Sequence, residues 1–357
     1  MGRENYKVLI ILSIWLLSAC VKDKPPTRNS IVPSNKSGVY IVCEGQFTAG
    51  NASLYLYKPV SDSVFGDLFL SANGSQLGDV FQSITAINNK LFLLVNNSDK
   101  VIAVNASDLK TTGTINIPSP RYMLSVGVGK AYISSLYHNK IYVVNTEMLS
   151  ITDSISLPAT NTEGICQYGT DVYIACWDTA SHYIYKVNPS TDQVTQSINV
   201  AGYAPHNILV DKEQMLWVLS GNQAKNRQSF WTRIDPSTGS ILATYVFPIA
   251  AEPIKPVFNA TRDTLYFIEA NYYGGTTDNG IYRMDIHAAS LPAQPFVGVQ
   301  QYQYFWALGI DPATGYIFVG DPKGFNQKGV VSVYKPDGTV VKNFSTGVGP
   351  GQFYFSE

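Results

Sequence analysis

The amino-acid sequence repeats one short apolar phrase seven times, each copy followed by a polar loop and a second apolar run. The first run occurs as VYIVCEG, LFLLVNN, AYISSLY, VYIACWD, LWVLSGN, LYFIEAN and IFVGDPK. The second run leads in every copy to a polar residue at a fixed place: Lys58, Asn105, Asn145, Asn188, Asp235, Asp285 and Lys335. Successive members of this series are 47, 40, 43, 47, 50 and 50 positions apart, and that period is typical of a four-stranded propeller blade. The sequence therefore predicts an all-β, seven-bladed β-propeller with four antiparallel strands per blade.

The two ends of the repeated region complement each other. The first copy begins at its second strand, VYIVCEG, and no strand-like run precedes it. A matching innermost strand, QFYFS, is found at residues 352–356. We therefore predict that the C-terminal strand pairs with the first blade and closes the ring, which would remove the exposed sheet edges of an open array. The predicted domain is a single propeller over residues 38–357.

The residues before the repeats have the composition of a targeting segment. Arg3 and Lys7 provide a basic start, residues 8–17 are mostly apolar, and Leu17-Ser18-Ala19-Cys20 resembles a bacterial lipobox. The apolar run is shorter than the roughly 20 residues that span a bilayer. We predict a lipoprotein signal peptide at 1–19, lipidation of Cys20, and a flexible tether over 20–37. An ordinary signal peptide with an incidental cysteine is the alternative.

Charge and cysteine content narrow the range of functions. The formal net charge is −1 and only 14% of residues are charged, which argues against a nucleic-acid partner because such binding depends on clustered Lys and Arg. Cys43, Cys166 and Cys176 show no paired CxxC spacing, so we predict free buried thiols. The turn after Cys166 is expected to pair it with about Tyr173 rather than with Cys176.

The loops predicted for one end of the ring are longer and chemically richer than those for the other. Loops between the first and second strands, and between the third and fourth, are short turns such as INNK and YGTD. The other loops include 221–230 and 297–306, and they hold most of the chain's loop aromatics. Such side chains on a rigid ring are typical of a binding surface. Candidate ligand-binding residues are Arg121, Tyr122, His138, Trp177, His182, Tyr203, His206, Arg227, Phe230, Tyr272, Tyr273, Tyr304, Trp306 and Phe325. The competing interpretation is that these side chains only fill the wide end of the ring.

No catalytic motif stands out. The sequence contains no GxSxG, HExxH, GxGxxG or P-loop. Oxygen-bearing side chains near the ends of second strands could hold a calcium ion in a lactonase-like hydrolase: Glu44, Asn96, Asp178, Glu269, Asn271 and Asp321. The set is irregular from blade to blade, so we favour a non-enzymatic binding protein with no catalytic residue and no metal. A metal-dependent hydrolase or lyase and a protein-interaction scaffold are the alternatives.

Two stretches of the sequence carry a family resemblance. The opening VYIVCEGQFTAGNASLYLY and the ending from ALGIDPATGYIFVGDPKG to GPGQFYF resemble surface lipoprotein propellers of Bacteroidetes, which are similar to YncE-type propellers. The best understood members are the BtuG cobalamin-capture lipoproteins, which lie over the BtuB transporter. The resemblance implies a lipid-anchored protein on the outer face of the outer membrane that binds a corrinoid (cobalamin) and passes it to a TonB-dependent transporter. It implies no cofactor beyond such a bound ligand.

Overall fold

The structure is a computed structural model that describes residues 37–270, 279–300 and 303–356. Cys20, with the predicted signal peptide and most of the tether, lies outside the described residues, and so do Tyr272 and Tyr273. The domain boundaries and the lipidation of Cys20 therefore remain predictions.

The described residues form 28 strands, one short α-helix and three single-turn 3₁₀ helices. The strands of the first two repeats are β1 (Gly38–Cys43), β2 (Ser53–Lys58), β3 (Ser63–Phe65), β4 (Phe81–Ile87), β5 (Lys90–Val95), β6 (Lys100–Asn105) and β7 (Thr111–Asn116). Those of the next two are β8 (Pro120–Gly127), β9 (Lys130–Ser135), β10 (Lys140–Asn145), β11 (Ser150–Ser156), β12 (Thr162–Tyr168), β13 (Asp171–Cys176), β14 (Tyr183–Asn188) and β15 (Gln193–Asn199).

The last three repeats complete the set. Their strands are β16 (Pro205–Val210), β17 (Leu216–Asn222), β18 (Arg227–Asp235), β19 (Ser240–Val246), β20 (Glu252–Phe258), β21 (Thr264–Ala270), β22 (Gly280–Asp285), β23 (Val297–Gly298), β24 (Ala307–Ile310), β25 (Ile317–Asp321), β26 (Lys328–Tyr334), β27 (Val340–Val348) and β28 (Pro350–Ser356). The helix is α1 (Leu68–Asn73), and the 3₁₀ turns are Asn96–Ser98, Gln223–Lys225 and Lys323–Phe325. No helix in the described part of the chain is long and apolar enough to cross a membrane.

The strands form seven four-stranded antiparallel sheets, which confirms the predicted seven-bladed propeller. Six blades are built from consecutive strands, β4–β7 through β24–β27. The first blade has the order β28-β1-β2-β3, and Val39 faces Phe355 while Ile41 faces Phe353 across the closing pair. The tail of the chain therefore supplies the innermost strand of the sheet that begins at its head, as predicted.

Seven apolar clusters of buried side chains hold neighbouring blades together. The cluster between the first and second blades contains Leu54 and Phe81, and the cluster between the seventh and first contains Ile41 and Phe318. Each fully buried aliphatic or aromatic side chain stabilises the fold by roughly 1.5–3 kcal/mol relative to exposure. The closing interface is held by the same kind of apolar cluster as the other six.

The repeated polar residue at the end of the third strand caps a turn. Asn145 Oδ1 accepts hydrogen bonds from the backbone N–H groups of Glu147 and Met148, at 2.9 and 2.8 Å. Asn105, Asn188, Asp235 and Asp285 make the equivalent bond two residues ahead. Asn and Asp favour such turns because a short side chain can replace a backbone acceptor. The repeat that identifies the fold is therefore, in five copies, a turn-forming device.

Antiparallel pairing places two kinds of loop at each end of the propeller. The start of each innermost strand and the end of each second strand lie at one end, which we call the loop face, and the short turns lie at the opposite end, the plain face. The predicted segregation of long and short loops holds only in part, because residues 286–296, between β22 and β23, form a long connection on the plain face. Two details differ: the region before residue 74 contains α1, capped by Asp67 and Gly74, and the predicted loop 297–306 begins with strand β23.

Candidate functional site

The innermost strands surround a central channel, and six of the seven carry an irregularity at the same level near the loop face. Pairing to the second strand skips one or two residues in β4, β8, β12, β16, β20 and β28, whereas the described register of β24 is continuous. The skipped residues are Gln82, Arg121, Tyr122, Glu163, Gly164, His206, Lys255, Pro256 and Gly351. β-Bulges at the rims of ring-shaped sheets re-aim side chains. Here the bulges take a set of mostly polar residues out of the regular pairing between the first and second strands.

A strained turn precedes five of these bulges. In these five blades, the residue two positions before the first skipped residue has a left-handed backbone conformation. These residues are Val80 (φ 56°), Ser119 (φ 42°), Asn161 (φ 56°), Ala204 (φ 56°) and Gly349 (φ 65°). A non-glycine residue held there costs on the order of 1–3 kcal/mol, and such strain clusters at functional sites. In the sixth blade the bulge residue itself, Lys255, is left-handed (φ 51°).

Arg121 and Glu163 form a buried ion pair across the second and third of these bulges. Arg121 Nε and Nη2 donate to the two carboxylate oxygens of Glu163 at 2.6 and 2.5 Å, and Nη1 donates to Gln82 Oε1. Burial lowers the pKa of the guanidinium, but Glu163 more than offsets it, so the pKa of Arg121 is raised overall. Burial also raises the pKa of the neighbouring Tyr122 to about 12. This cluster is a fixed, charge-balanced wall of the channel mouth.

A second charged pair lies across the mouth, beside an aromatic stack. Lys255 Nζ is 4.0 Å from Glu44 Oε1 and 5.5 Å from the centroid of the Trp306 ring. Trp306 Nε1 donates to the same Glu44 oxygen at 2.8 Å, and the Trp306 ring lies 6.3 Å from Tyr304 and 5.4 Å from Phe325. Burial lowers the pKa of Lys255, while Glu44 acts in the opposite direction. Three predicted residues, Tyr304, Trp306 and Phe325, are therefore brought together here.

Two predicted residues join the fourth blade to the fifth at the mouth. His206 is a bulge residue whose Nδ1 lies 3.1 Å from the Ala204 carbonyl oxygen, and its ring is 5.8 Å from Trp177. A carbonyl can only accept, so Nδ1 carries the proton and Nε2 keeps a free lone pair. Burial lowers the pKa of His206. Trp177 Nε1 donates to the Gly221 carbonyl at 3.0 Å and so holds the adjacent loop.

A separate group, which we call the rim patch, lies between the fourth and fifth blades and consists of His182, Tyr183, Tyr203 and Arg227. The His182 ring is 4.3 Å from Tyr183 and 5.2 Å from Tyr203, and Arg227 Cζ lies 4.6 Å from the Tyr203 ring. Both tyrosines are exposed. A cation over an aromatic face is a stabilising contact that also presents a flat mixed surface to a ligand. Three predicted residues meet here.

The remaining predicted residues have more local surroundings. His138 Nδ1 lies 2.9 Å from the Leu136 carbonyl and 3.1 Å from Ser135 Oγ, so its position is set by its own loop. Phe230 lies against Gly202, where an added Cβ would come within 2.5 Å of its ring. These two residues support the loop face.

The innermost strands line a cavity of about 290 Å³, mainly on the side of the sixth, seventh and first blades. Its polar lining comes from Gln82, Tyr122, Asn207, Lys255 and Gln352, and its apolar lining comes from Val257, Leu308, Ile310, Phe353 and Phe355. We call this cavity the channel chamber.

Two of the carboxylates proposed as metal ligands in the hydrolase alternative accept hydrogen bonds from the backbone, and the proposed ligand Asn271 lies outside the described residues. Asp178 accepts from Thr160 N at 3.0 Å and from Ala180 N at 2.9 Å, and Asp321 accepts from Lys323 N at 2.9 Å. Asn96 Nδ2 donates to the Pro120 carbonyl. Among the residues that the structure describes, no group of three His, Cys, Asp or Glu side chains converges on a point. The cysteines follow their prediction in part: Cys166 faces Tyr173, and Cys43, Cys166 and Cys176 are free, but Cys166 is only partly buried.

Sequence reasoning missed the partners that complete the mouth. Gln82, Glu163 and Lys255 were not among the candidates, although each lies in or beside a segment assigned to the loop face.

Comparison with known proteins identifies the fold and a family. The domain of unknown function DUF5074 matches residues 37–355. A quinoprotein alcohol dehydrogenase-like protein of Bacteroides thetaiotaomicron is 16% identical with a TM-score of 0.69, covering 90% of this chain and 79% of its own. A putative 6-phosphogluconolactonase of Bacteroides fragilis is 12% identical with a TM-score of 0.65, covering 91% and 99%. The periplasmic gluconolactonase of Pseudomonas aeruginosa is 12% identical with a TM-score of 0.60, covering 90% and 99%. Comparison with curated proteins gives no match.

Proposed function

The chain belongs to the DUF5074 family of propellers, and from that premise we propose that it is a binding protein whose loop face captures a corrinoid or a nutrient of similar size. The observation that carries the proposal is the concentration of bulge-displaced polar residues and stacked aromatics around one end of the channel. Six bulges and the left-handed residues beside them carry a cost in backbone strain, and such features concentrate next to functional sites. A binding surface at that end accounts for them.

The chemistry of the loop face suits a corrinoid. Such a ligand has a flat apolar face and a rim of amides. The Trp306 stack and the rim patch offer aromatic faces, and Arg121, Gln82 and Asn207 add donors and acceptors between them. His138 and His206 each hold Nδ1 against a carbonyl, which leaves Nε2 as a nitrogen that could bind cobalt at an open axial position.

The remaining parts of the proposal rest on the sequence. A lipid on Cys20 would anchor the protein at the outer membrane, with the tether at 20–37 placing the propeller on the cell exterior. The partner would then be a TonB-dependent transporter that receives the ligand. Palmitate labelling of the wild-type chain and of Cys20→Ser tests the anchor, with label expected in the wild type alone.

Gel filtration of the purified full-length chain after incubation with hydroxocobalamin tests the ligand. We expect the visible absorption of the corrinoid to co-elute with the protein at about one per chain. Protein free of that absorption at micromolar concentration would exclude cobalamin as the ligand.

The metal-dependent hydrolase is the second candidate, and the gluconolactonase neighbours favour it through their fold alone. It would require stoichiometric calcium or zinc after dialysis and loss of lactone hydrolysis in Glu269→Gln. Elemental analysis of the dialysed protein separates the two proposals, because the binding protein needs no tightly held metal.

A further inference from the structure

Lys255 stands out among the charged bulge residues because no hydrogen bond from its ammonium group occurs within the described residues. The other charged bulge residues are hydrogen-bonded to each other: Arg121 makes three hydrogen bonds, and both oxygens of Glu163 accept from it. Lys255 has a single ionic neighbour, Glu44, at 4.0 Å, which is beyond hydrogen-bond length. An ammonium group has three donors, and no hydrogen bond from Lys255 occurs within the described part of the chain.

The backbone of Lys255 is strained. Its φ of 51° lies in the left-handed region, which is unfavourable for any residue with a Cβ. The pairing of β20 with β21 also skips Lys255, because it passes from Ile254 to Val257. Glu44, its nearest carboxylate, is 4.0 Å away and also accepts a hydrogen bond from Trp306. Backbone strain of this kind is concentrated at functional sites, which suggests that the side chain of Lys255 binds a ligand.

The residues around Lys255 indicate what kind of ligand it could bind. It lines the channel chamber together with Asn207 and Gln352, whose amide groups can donate and accept. Gln352 Oε1 accepts from Ile84 N at 3.0 Å, so its NH₂ group is left for another partner. The chamber volume of about 290 Å³ lies at the small end of the volumes of ligand pockets, so a small molecule fits it.

We propose that the channel chamber is a second binding site, which takes a small hydroxylated carboxylate with its carboxylate on Lys255 and its hydroxyl groups on Asn207 and Gln352. Charge favours this class because an ammonium without a hydrogen-bonded counter-ion is a point charge that a carboxylate can satisfy. The apolar side of the chamber, with Leu308 and Phe353, would contact the carbon chain. The site borders the loop face and shares Asn207 with it, but its test does not depend on which ligand the loop face captures.

Isothermal titration of the purified full-length chain with gluconate and with sorbitol, at fixed ionic strength, tests the charge requirement. The two probes differ chiefly in that a carboxylate replaces a hydroxymethyl group. We expect saturable binding of gluconate at one site and binding of sorbitol at least about tenfold weaker, as for loss of a charge-assisted hydrogen bond. Absence of saturable gluconate binding, or equal affinity for both probes, would overturn the proposal.

Variants of Lys255 test the residue. Lys255→Met should weaken gluconate binding by about tenfold or more, and Lys255→Arg should keep most of it because the charge remains. Lys186→Met is the matched control, since Lys186 has similar exposure, one carboxylate neighbour and an aromatic ring 6.0 Å away, but lies outside the chamber. Gluconate binding by Lys255→Met equal to that of Lys186→Met would overturn the assignment.

If Lys255→Met does not fold, Lys255→Gln replaces it. Cobalamin binding is measured separately, so failure of one proposal leaves the other standing.

Discussion

The indole Nε1–H of Trp306 donates a 2.8 Å hydrogen bond to Glu44 Oε1. Trp306 directly precedes β24 of the seventh blade, and Glu44 directly follows β1 of the first blade, so the bond links these two blades. This bond crosses the interface at which the chain closes on itself. It also fixes the indole that stacks with Tyr304 and contacts Phe325. The same interaction therefore serves ring closure and the shape of the channel mouth.

Replacing Trp306 with Phe should lower the free energy of unfolding by about 1–2 kcal/mol, because Glu44 loses a buried donor. Urea denaturation followed by circular dichroism measures the change. Glu44→Gln keeps an acceptor oxygen for the indole and serves as the control, with a smaller expected loss. A Trp306→Phe variant as stable as the wild type would show that the bond contributes nothing to closure.

The buried pair of Arg121 and Glu163 should be far more sensitive than an exposed pair. Removal of one partner leaves an uncompensated charge, so Arg121→Met should destabilise the protein by about 3 kcal/mol. Lys342→Met breaks the pair with Asp62 on the plain face, where the carboxylate is mostly exposed, and should cost less than about 1 kcal/mol. Equal losses in the two variants, measured by urea denaturation, would contradict the buried assignment.

The closing strand can be tested by moving it. A chain that lacks residues 350–357 should lose cooperative unfolding and bind a hydrophobic dye, because the apolar edge of β1 is exposed. Ser356 faces Gly38 in the register, so a short turn can connect residues 350–356 to the front of β1. A permuted chain with that connection should regain a single cooperative transition. Failure of the permuted chain, or full stability of the truncated one, would argue against closure by β28.

Stability should fall in mild acid partly through His206. Burial lowers its pKa in the folded state, while Glu163 acts in the opposite direction, so the unfolded chain binds more protons. The resulting stability is fully present above the unfolded value of about 6.5 and is lost as pH falls through it towards the lower folded value. His206→Gln should therefore show a smaller loss between pH 7 and pH 5. Identical pH profiles of unfolding free energy for wild type and variant would contradict this role.

The fold was predictable because its determinants are local and repeated. Alternating apolar residues specify each strand, and Asn145 and its counterparts cap the same turn by bonds within three residues. The helix α1 was not predicted, because a helix of six residues has little apolar periodicity and is marked mainly by its caps, Asp67 and Gly74.

The candidate site was predictable only in part, since a bulge is a property of strand pairing. Arg121 and His206 were found because they are unusual residues in long loops. Gln82, Glu163 and Lys255 became recognisable once the register showed that each is released from the ladder at the same level. Residue type alone does not distinguish a lysine on a strand from a lysine in a channel.

Capture of a corrinoid at the loop face is tested by titrating the full-length chain with hydroxocobalamin and comparing loop-face with plain-face variants. We expect one saturable site in the wild type. The affinity should fall about tenfold or more in Trp306→Ala and Tyr203→Ala, because aromatic contacts are lost. Val60→Ser, a fully exposed position on the plain face, should bind like the wild type. No binding by the wild type, or equal affinity in all three variants, would contradict capture at the loop face.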